Sequence, residues 1–505
     1  MQKVCIYGIA GTGKTRYLLK QFKDLKDVCY VTFRRNMAED FVKRCDNNTN
    51  GNIVGTIHSV CWKLLRQYEG YSKKDIATAK DYVRFCEIHG IPIKVSELNK
   101  EIDDLDEYES FGAKCYAIYN NCINALISFN KWYELPEYAL PELGIEERNY
   151  VTNVIKGWIE YLEDIGKIDF PMMLYICHKK KLCINSNVLM CDEAHDMTPI
   201  QWSLVNMWSK HCEQYYIAFD IMQTIYSFWL SKPEPLIEHW KTADSKIILS
   251  PSYRISRKIY DFANNILKRS NQYLPKVQCV GNTNIIRVPP DSFKHIVLEY
   301  RPTILCRTKY HLKEVSKVLD MLNVIYTGIF GWTDAMIKTY RAIWCLRNNY
   351  KVLSDDLKCL KSVSDNIVKD VKIYTCNKVL EHSVALNYLT EFGKSVIYSS
   401  NPFEYTKFGN YNKRKMLNAL KNNTKPIVYA KLYTIHGSKG LEWDNVLVID
   451  GITSKTYRHC YKYYEEFRNE CRVWYVAMSR AIKNLFVMDS TFFNSKSLNI
   501  PFLFN

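Results

Sequence analysis

The sequence predicts an α/β protein of two lobes, each built on a parallel sheet and each interrupted by a mostly helical insertion. Three observations carry that prediction. A glycine-rich loop joins a strand-like run to a helix at the start of the chain. An apolar run ending in two acids lies far downstream, and a second series of strand-like runs occupies the C-terminal half. With 505 residues, the chain has room for about three or four domains.

Taken in order, Val4-Cys5-Ile6-Tyr7 reads as a short buried strand and Arg16-Tyr17-Leu18-Leu19-Lys20 as the opening of a helix. Between them, Gly8-Ile9-Ala10-Gly11-Thr12-Gly13-Lys14-Thr15 fits G-x-x-x-x-G-K-[ST], the phosphate-binding loop of nucleoside triphosphatases. The glycines let backbone N–H groups close around a phosphate chain at a helix N-terminus, where the dipole favours negative charge. Lys14 is expected to reach the β- and γ-phosphates, and the Thr15 hydroxyl to hold Mg²⁺. Val28–Phe33, Asn187–Cys191 and Tyr215–Asp220 read as further strands, and alternation with helices predicts a parallel sheet.

The stretch from Lys63 to Gly166 interrupts this pattern. Apolar periodicity in Ile76–Ile88 and Cys115–Tyr133 predicts helices, and the acidic run Glu101–Glu107 reads as a solvated helix face or loop. A second α/β set begins near Ile247, with strands expected at Ile296–Glu299, Thr303–Arg307, Ile427–Thr434 and Val446–Asp450. A mostly helical segment rich in Lys and Asn between Trp332 and Lys425 interrupts it in turn. The expected division is residues 1–65 with 165–246 as the first lobe and 66–164 as its insertion. Residues 247–332 with 425–505 form the second lobe, and 333–424 a reduced second insertion.

Val188-Leu189-Met190-Cys191-Asp192-Glu193 is an apolar strand ending in two acids. Alone it would be an ordinary solvated strand end. Paired with a phosphate loop it completes a site in which Asp192 holds Mg²⁺, and Glu193 orients and deprotonates the attacking water.

Composition narrows the class. Hydrophobic residues make up 47% and charged residues 24%, ordinary for a globular protein. No apolar run approaches the roughly 18 residues that span a membrane, so no membrane partner is expected. The N-terminus runs directly into the phosphate loop, so removal of a signal peptide would destroy it, and an intracellular location is expected. The 18 cysteines are scattered without a C-x-x-C pair, which argues against a zinc ribbon or iron–sulfur cluster. A formal net charge of +16 favours a polyanionic partner, nucleic acid first, although solubility alone also accounts for it. The 37 tyrosines suit base stacking and equally suit biased codon usage.

At this point the chain resembles the UvrD/Rep/PcrA-like helicases of superfamily 1, over both α/β lobes and in order. Thr32-Phe33-Arg34-Arg35-Asn36-Met37-Ala38 and Gly55-Thr56-Ile57-His58-Ser59 fit the family between the first strand and the insertion. Asp192-Glu193-Ala194-His195-Asp196 with Gln201 is similar to D-E-x-Q-D-x-x-x-x-Q. Asp220 through Phe228 is similar to D-x-x-Q-x-I-Y-x-[FW], and Ser252-Tyr253-Arg254 with Ala263-Asn264 to N-Y-R-S…A-N. Leu305-Cys306-Arg307-Thr308 is similar to L-x-R-T. Thr434 through Trp443 matches T-x-H-x-[AS]-K-G-L-E-[FW], and Tyr475 through Ala481 matches Y-V-A-x-[ST]-R-A.

The resemblance implies two RecA-like lobes around ATP and the following roles. Arg254 and Arg480 are arginine fingers on the transferring phosphoryl group, and Gln223 links the γ-phosphate to the attacking water and to neighbouring DNA-contacting residues. Arg16 lies at the nucleotide, Tyr253 stacks on adenine, and Glu442 contacts the ribose or triphosphate region. Phe33, His58, Tyr226, Phe228 and Trp443 are candidate stacking partners for DNA bases, with core packing as the alternative for each ring. Arg34, Arg307 and Lys439 are candidate phosphate contacts, with Arg35 beside them. The expected partners are single-stranded DNA and junctions of single and double strands, with RNA as an alternative. The expected state is a monomer in the cytoplasm or nucleoid, or in a host cell if the chain is viral.

The chain departs from the family in three places. Seven residues precede Gly8, so the family's adenine-reading glutamine segment is expected to be missing. His195 replaces the usual glutamine, giving an Asp-Glu-Ala-His box better known from superfamily 2, whose later segments this chain does not match. The second insertion is short, which favours movement on single strands over duplex separation. The expected activity is ATP-driven translocation on DNA, 3′ to 5′ by analogy, with strand separation or protein displacement. An RNA-directed helicase, a nucleotide-dependent binding switch and a small-molecule kinase are the rivals.

Overall fold

Short, almost wholly apolar strands build the first sheet of the computed structural model: β1 (Gln2–Tyr7), β2 (Val28–Thr32), β3 (Ile53–Thr56), β4 (Val188–Cys191), β5 (Gln214–Phe219) and β6 (Ser245–Ile248). The structure describes residues 1–45, 49, 51–98, 108–370, 373 and 377–503; the acidic run Glu101–Glu107 lies outside them. Every residue of β2 and β4 is buried, as expected for strands covered on both faces. The order is β3-β2-β4-β5-β1-β6, and each neighbouring pair is parallel. The carboxyl ends of β4, β5 and β1 therefore lie side by side. They deliver the Asp192-Glu193 pair, the Asp220–Gln223 turn and the phosphate loop to one edge, where open α/β sheets bind ligands.

This sheet belongs to a unit formed by Met1–Ile285, Ile435–Glu442 and Ser454–Lys483. Strand β6 straddles the expected boundary at residue 247 and pairs with β1, Val4 opposite Ser245 and Tyr7 opposite Ile248. The insertion is helical, with Ala79–Ile88, Phe111–Ala125 and Ile145–Asp164 as its main helices. They pack around Tyr82, Phe85, Tyr119 and Trp158. Asp169 fixes the return to the sheet. Its carboxylate accepts hydrogen bonds from Tyr119 Oη at 2.9 Å, Trp158 Nε1 at 2.9 Å and the Met172 N–H at 2.9 Å. That cap starts the helix Phe170–Lys179 and leaves Phe170 56% exposed at its first position.

The second unit comprises Ile286–Thr434, Trp443–Thr453 and Asn484–Asn505. Its sheet has the order β7-β14-β13-β8-β12-β9. The strands are β7 (Asn284–Val288), β8 (Thr303–Cys306), β9 (Ile325–Gly328), β12 (Val428–Thr434), β13 (Trp443–Ile449) and β14 (Ala481–Met488). The pairs β13–β8, β8–β12 and β12–β9 are parallel. A helical insertion built from Asp334–Arg347, Ser354–Val363, Glu391–Tyr398 and Asn410–Lys421 carries an antiparallel pair, β10 (Val352–Leu353) with β11 (Val379–Leu380). The buried Asp356 carboxylate holds it by accepting two bonds from Arg341, at 2.6 and 2.7 Å.

One strand expectation is corrected. Ile296–Glu299 lies in the helix Phe293–Tyr300. Phe293, Ile296 and Val297 are the buried positions, a spacing of three and four residues that faces one side of a helix. Leu298, which alternation would also bury, is 40% exposed.

Candidate nucleotide site and nucleic-acid face

The phosphate loop gets its shape from backbone that only glycine adopts cheaply. Gly11 has φ +77° and Gly13 φ +86°, and a Cβ on Gly11 would lie 2.4 Å from the Arg254 Cβ. Inside the loop, the Thr12 hydroxyl donates to Ile9 O at 2.8 Å and Lys14 Nζ to Gly8 O at 3.0 Å. The helix Lys14–Asp24 then begins with no side-chain cap, so its first N–H groups are available to phosphate oxygens.

A cavity of about 470 Å³ opens over this loop. Ala10, Gly11, Gly13, Lys14, Thr15 and Arg16 line it, with Asp192, Glu193, Gln223, Tyr253, Arg254, Glu442 and Arg480. Of the residues expected at the nucleotide, metal and catalytic positions, only Gly8, Ile9 and Thr12 do not line it. The sequence reading missed Tyr30, Met37, Asp40, Arg44, Gly440 and Ile482, which also line it. Tyr30 is pointed there by strand register, since β2 pairs with β4 and sets Tyr30 opposite Met190. Its hydroxyl donates to Asp192 Oδ2 at 2.8 Å.

Asp192 Oδ2 also accepts from the Thr15 hydroxyl at 2.7 Å. Two hard oxygen donors converging there fit Mg²⁺. Burial, and then the neighbouring Glu193 charge, raise the Asp192 pKa, and a divalent cation would relieve both. Glu193 shifts the other way. Burial pushes its pKa up, but the Lys14 ammonium, first among the opposing groups, holds it well below the usual carboxylate range. Glu193 is thus ionised at neutral pH.

A hydrogen-bond circuit ties the loop to the later segments. The Ala10 N–H donates to Tyr475 Oη at 3.3 Å, and that hydroxyl donates to Asp220 Oδ2 at 3.1 Å. Asp220 Oδ2 also accepts from Gln223 Nε2 at 2.7 Å, and Gln223 Oε1 accepts from Arg480 Nη2 at 3.2 Å. Arg480 is 1% exposed. Burial, then the Arg254 charge, lower its pKa to about 10, so it stays charged at neutral pH. Arg254 is ion-paired with Glu442. Tyr253 is 69% exposed beside the loop, its N–H donating to Gly11 O at 3.1 Å. Gln201 has a different task. Its side chain accepts from the Thr198 N–H at 3.0 Å and caps the helix Pro199–Ser209.

The expected DNA contacts separate into groups. Phe33 is half-buried, stacked on Tyr226 at 5.6 Å. Tyr226 and Phe228 are 2% and 8% exposed, with Tyr226 stacked on Trp229 at 5.3 Å and Phe228 edge-on to His436. Both rings are therefore packed within this cluster. Neither presents a ring face, and Phe33 and Trp229 are the half-buried rings of the cluster. Lys439 is 2% exposed and ion-paired with Asp196. The Arg34 guanidinium is half-buried, bonded to Tyr226 Oη and to the carbonyls of Lys439 and His436. His58 lines an open, largely apolar groove of about 630 Å³ with Trp62, Phe170, Arg35 and Lys43. Its ring lies 6.1 Å from Phe170, and burial lowers its pKa to about 4, so it offers a neutral ring. Phe170 was missed because it follows the insertion and meets His58 only in the fold. Arg307 and Trp443 lie in the second unit, Arg307 after β8 and Trp443 at the start of β13, tilted against Tyr433 at 5.2 Å.

Comparison with known families fits this arrangement. Residues 1–244 match the UvrD/REP helicase N-terminal domain and residues 334–491 the UvrD-like helicase C-terminal domain. The chain belongs to the UvrD/Rep-like helicase family. Its relatives include a probable DNA helicase II homolog of Mycoplasma pneumoniae, 23% identical over 96% of this chain and 81% of that protein. The ATP-dependent DNA helicase PcrA of Staphylococcus epidermidis is 21% identical over 64% of this chain and 48% of its own length. The ATP-dependent DNA helicase SRS2 of Saccharomyces cerevisiae is 20% identical over 77% of this chain. The chain therefore spans most of the mycoplasmal relative but 48% of PcrA and 39% of SRS2. No helix among the described residues is long and apolar enough to cross a membrane.

Proposed function

We propose that this chain is an ATP-driven DNA motor that moves on single-stranded DNA, 3′ to 5′, separating strands or displacing bound protein. The observation that carries the reading is the convergence of Lys14, Glu193, Gln223, Arg254 and Arg480 on one cavity. Lys14 and the loop N–H groups bind the phosphate chain. Ionised Glu193 takes a proton from the attacking water, Gln223 orients that water, and the two guanidinium groups offset charge on the transferring phosphoryl. Thr15 and Asp192 would hold Mg²⁺, which would supply further charge neutralisation on the phosphate chain. Tyr253 and Arg16 flank the base, and Glu442, now paired with Arg254, contacts the sugar or triphosphate. Loss of the γ-phosphate releases both arginines, and the helix Tyr464–Met478 that precedes Arg480 is the element this release sets in motion.

On the nucleic-acid side, Phe33, Trp229, His58 and Phe170 are the rings we assign to base stacking, with Arg35 and Lys43 beside them for phosphates. In the second unit, taken by itself, Trp443 and Arg307 are assigned to nucleic acid as well. The partner is single-stranded DNA and its junctions with duplex, and the motor acts as a monomer inside the cell. The division into two RecA-like lobes with insertions at 66–164 and 333–424 is part of the same reading.

The test is strand displacement on duplexes carrying a 3′ or a 5′ tail, with DNA- and RNA-stimulated ATP hydrolysis measured in parallel. Displacement from 3′-tailed substrates only, lost in Lys14→Ala and Glu193→Gln, is the expected result. Stimulation by RNA alone would redirect the substrate, and hydrolysis undiminished in both variants would refute the assigned chemistry.

A further inference from the structure

Resting on the reading of Glu193 as the base, we propose that His195 is a positioning residue for hydrolysis: fixed as the neutral Nε2–H tautomer, it donates to the Glu193 carboxylate and aims it at the attacking water. The histidine stands where the motif that this segment resembles has glutamine, and the hydrolytic scheme above gives it no part.

The tautomer follows from its partners. His195 is 1% exposed, and its Nδ1 accepts a hydrogen bond from the Asp220 N–H at 3.1 Å. A main-chain N–H cannot accept, so Nδ1 carries no proton, and a neutral ring must carry its one proton on Nε2. A doubly protonated ring would set N–H against N–H in the interior.

Nε2 lies 3.1 Å from Glu193 Oε2 and 3.9 Å from Asp196 Oδ1. It makes no aligned hydrogen bond to any acceptor among the described residues. A buried donor is thus held beside the catalytic carboxylate, within reach and off-line. Such contacts tighten when substrate binds, and here a turn of the Glu193 carboxylate is enough. The Glu193 backbone is already fixed in the left-handed region at φ +53°, so side-chain rotation is the freedom His195 removes. The anchor matters as well. Asp220, whose N–H holds His195, also accepts from Gln223 and Tyr475 through its carboxylate. The water-activating base and the phosphate-facing glutamine are therefore registered to one residue at the end of β5.

The experiment measures kcat and KM for ATP on the full chain with saturating oligothymidylate, plus affinity for a fluorescent non-hydrolysable ATP analogue. His195→Leu removes the donor, and His195→Gln restores one on a side chain that can reach Glu193. Expected is a fall in kcat of about 10- to 100-fold for His195→Leu, a part of what general-base catalysis supplies. KM and analogue affinity should stay within about threefold, and His195→Gln should recover most of the rate. If His195→Leu fails to bind the analogue, His195→Met, similar in bulk and without a donor, takes its place. Wild-type kcat in the donor-less variant, or an equal fall in the leucine and glutamine variants, overturns the proposal. Glu193→Gln separates the two claims. If it hydrolyses ATP at the wild-type rate, the base assignment itself fails, whatever His195 does.

Discussion

Replacing Arg480 by lysine keeps a positive charge and removes the planar fork, so it tests geometry apart from charge. The guanidinium uses all three nitrogens. Nε donates to Val476 O at 3.0 Å, Nη1 to Leu441 O at 3.3 Å, and Nη2 to Ser479 Oγ at 2.7 Å and Gln223 Oε1 at 3.2 Å. A lysine ammonium is a single point that cannot occupy those three places. At least two of the bonds are lost at about 1 kcal/mol each, and more where a buried carbonyl is left unpaired, so a stability cost of roughly 2–4 kcal/mol is expected. The rate should suffer more. An arginine finger contributes about 10³–10⁵ in kcat; with charge kept and orientation lost, Arg480→Lys should fall by about 10²–10³. Steady-state phosphate release against ATP concentration, with thermal unfolding in parallel, reads both numbers. A kcat within about threefold of wild type would refute the finger assignment. Loss of analogue binding with kcat preserved would make Arg480 a purely structural residue.

Gly11→Ala should abolish hydrolysis and weaken nucleotide binding more than about tenfold, because its Cβ would sit 2.4 Å from that of Arg254 at a backbone angle of +77°; wild-type turnover would refute the close approach. Phe33→Ala should weaken single-strand binding by about 1–3 kcal/mol in fluorescence anisotropy and leave the KM for ATP unchanged. Tyr226→Ala and Phe228→Ala, both in the packed cluster, should instead cost about 3–5 kcal/mol in stability, and a Tyr226 variant that melts normally but loses DNA would reverse that assignment. Asp450 predicts a pH effect. It is fully buried, accepts from the Phe502 and Leu503 N–H groups, and burial lifts its pKa from 3.8 to about 6. Between those values the folded chain keeps a proton that the unfolded chain has released. The stability this group contributes is therefore full below about pH 4 and lost as pH rises through about 6, up to ~3 kcal/mol. Asp450→Asn removes that dependence, so the wild type should lose ground to the variant between about pH 4 and 7 in thermal unfolding, and a constant gap would refute it.

The candidate nucleotide site was legible because its chemistry is local. Gly11 and Gly13 are dictated by backbone angles, Lys14 and Thr15 by their place one and two residues later, and Asp192-Glu193 by the end of a buried strand. Each is set by a few neighbours in sequence, and sheet order then assembles them at one edge. Ile296–Glu299 misled because four apolar-rich residues carry too short a pattern to separate a period of two from one of 3.6. Strands β3, β9 and β14 were missed for related reasons. Ile53–Thr56 and Ile325–Gly328 are four residues each, and Ala481–Met488 begins inside a segment already read as a motif.

The candidate nucleic-acid face was less legible because a motif names a residue without saying where its interactions are spent. Arg34 and Lys439 carry the charge needed to hold a phosphate. In the fold, however, Lys439 neutralises buried Asp196, and Arg34 bonds the Tyr226 hydroxyl and the carbonyls of His436 and Lys439. Removing a buried partner of this kind strands an uncompensated charge, which costs about 3–5 kcal/mol, far more than an exposed phosphate-binding lysine costs to lose. Lys439→Ala should therefore unfold the site before it weakens DNA binding, and a salt titration separates the two. Were the Lys439 ammonium bound to a DNA phosphate, its removal would flatten the salt dependence of binding by about one charge. If the Lys439 variant keeps its melting temperature and shows the flatter slope, its ammonium faces the strand after all, and the aromatic cluster it helps hold must open when DNA arrives.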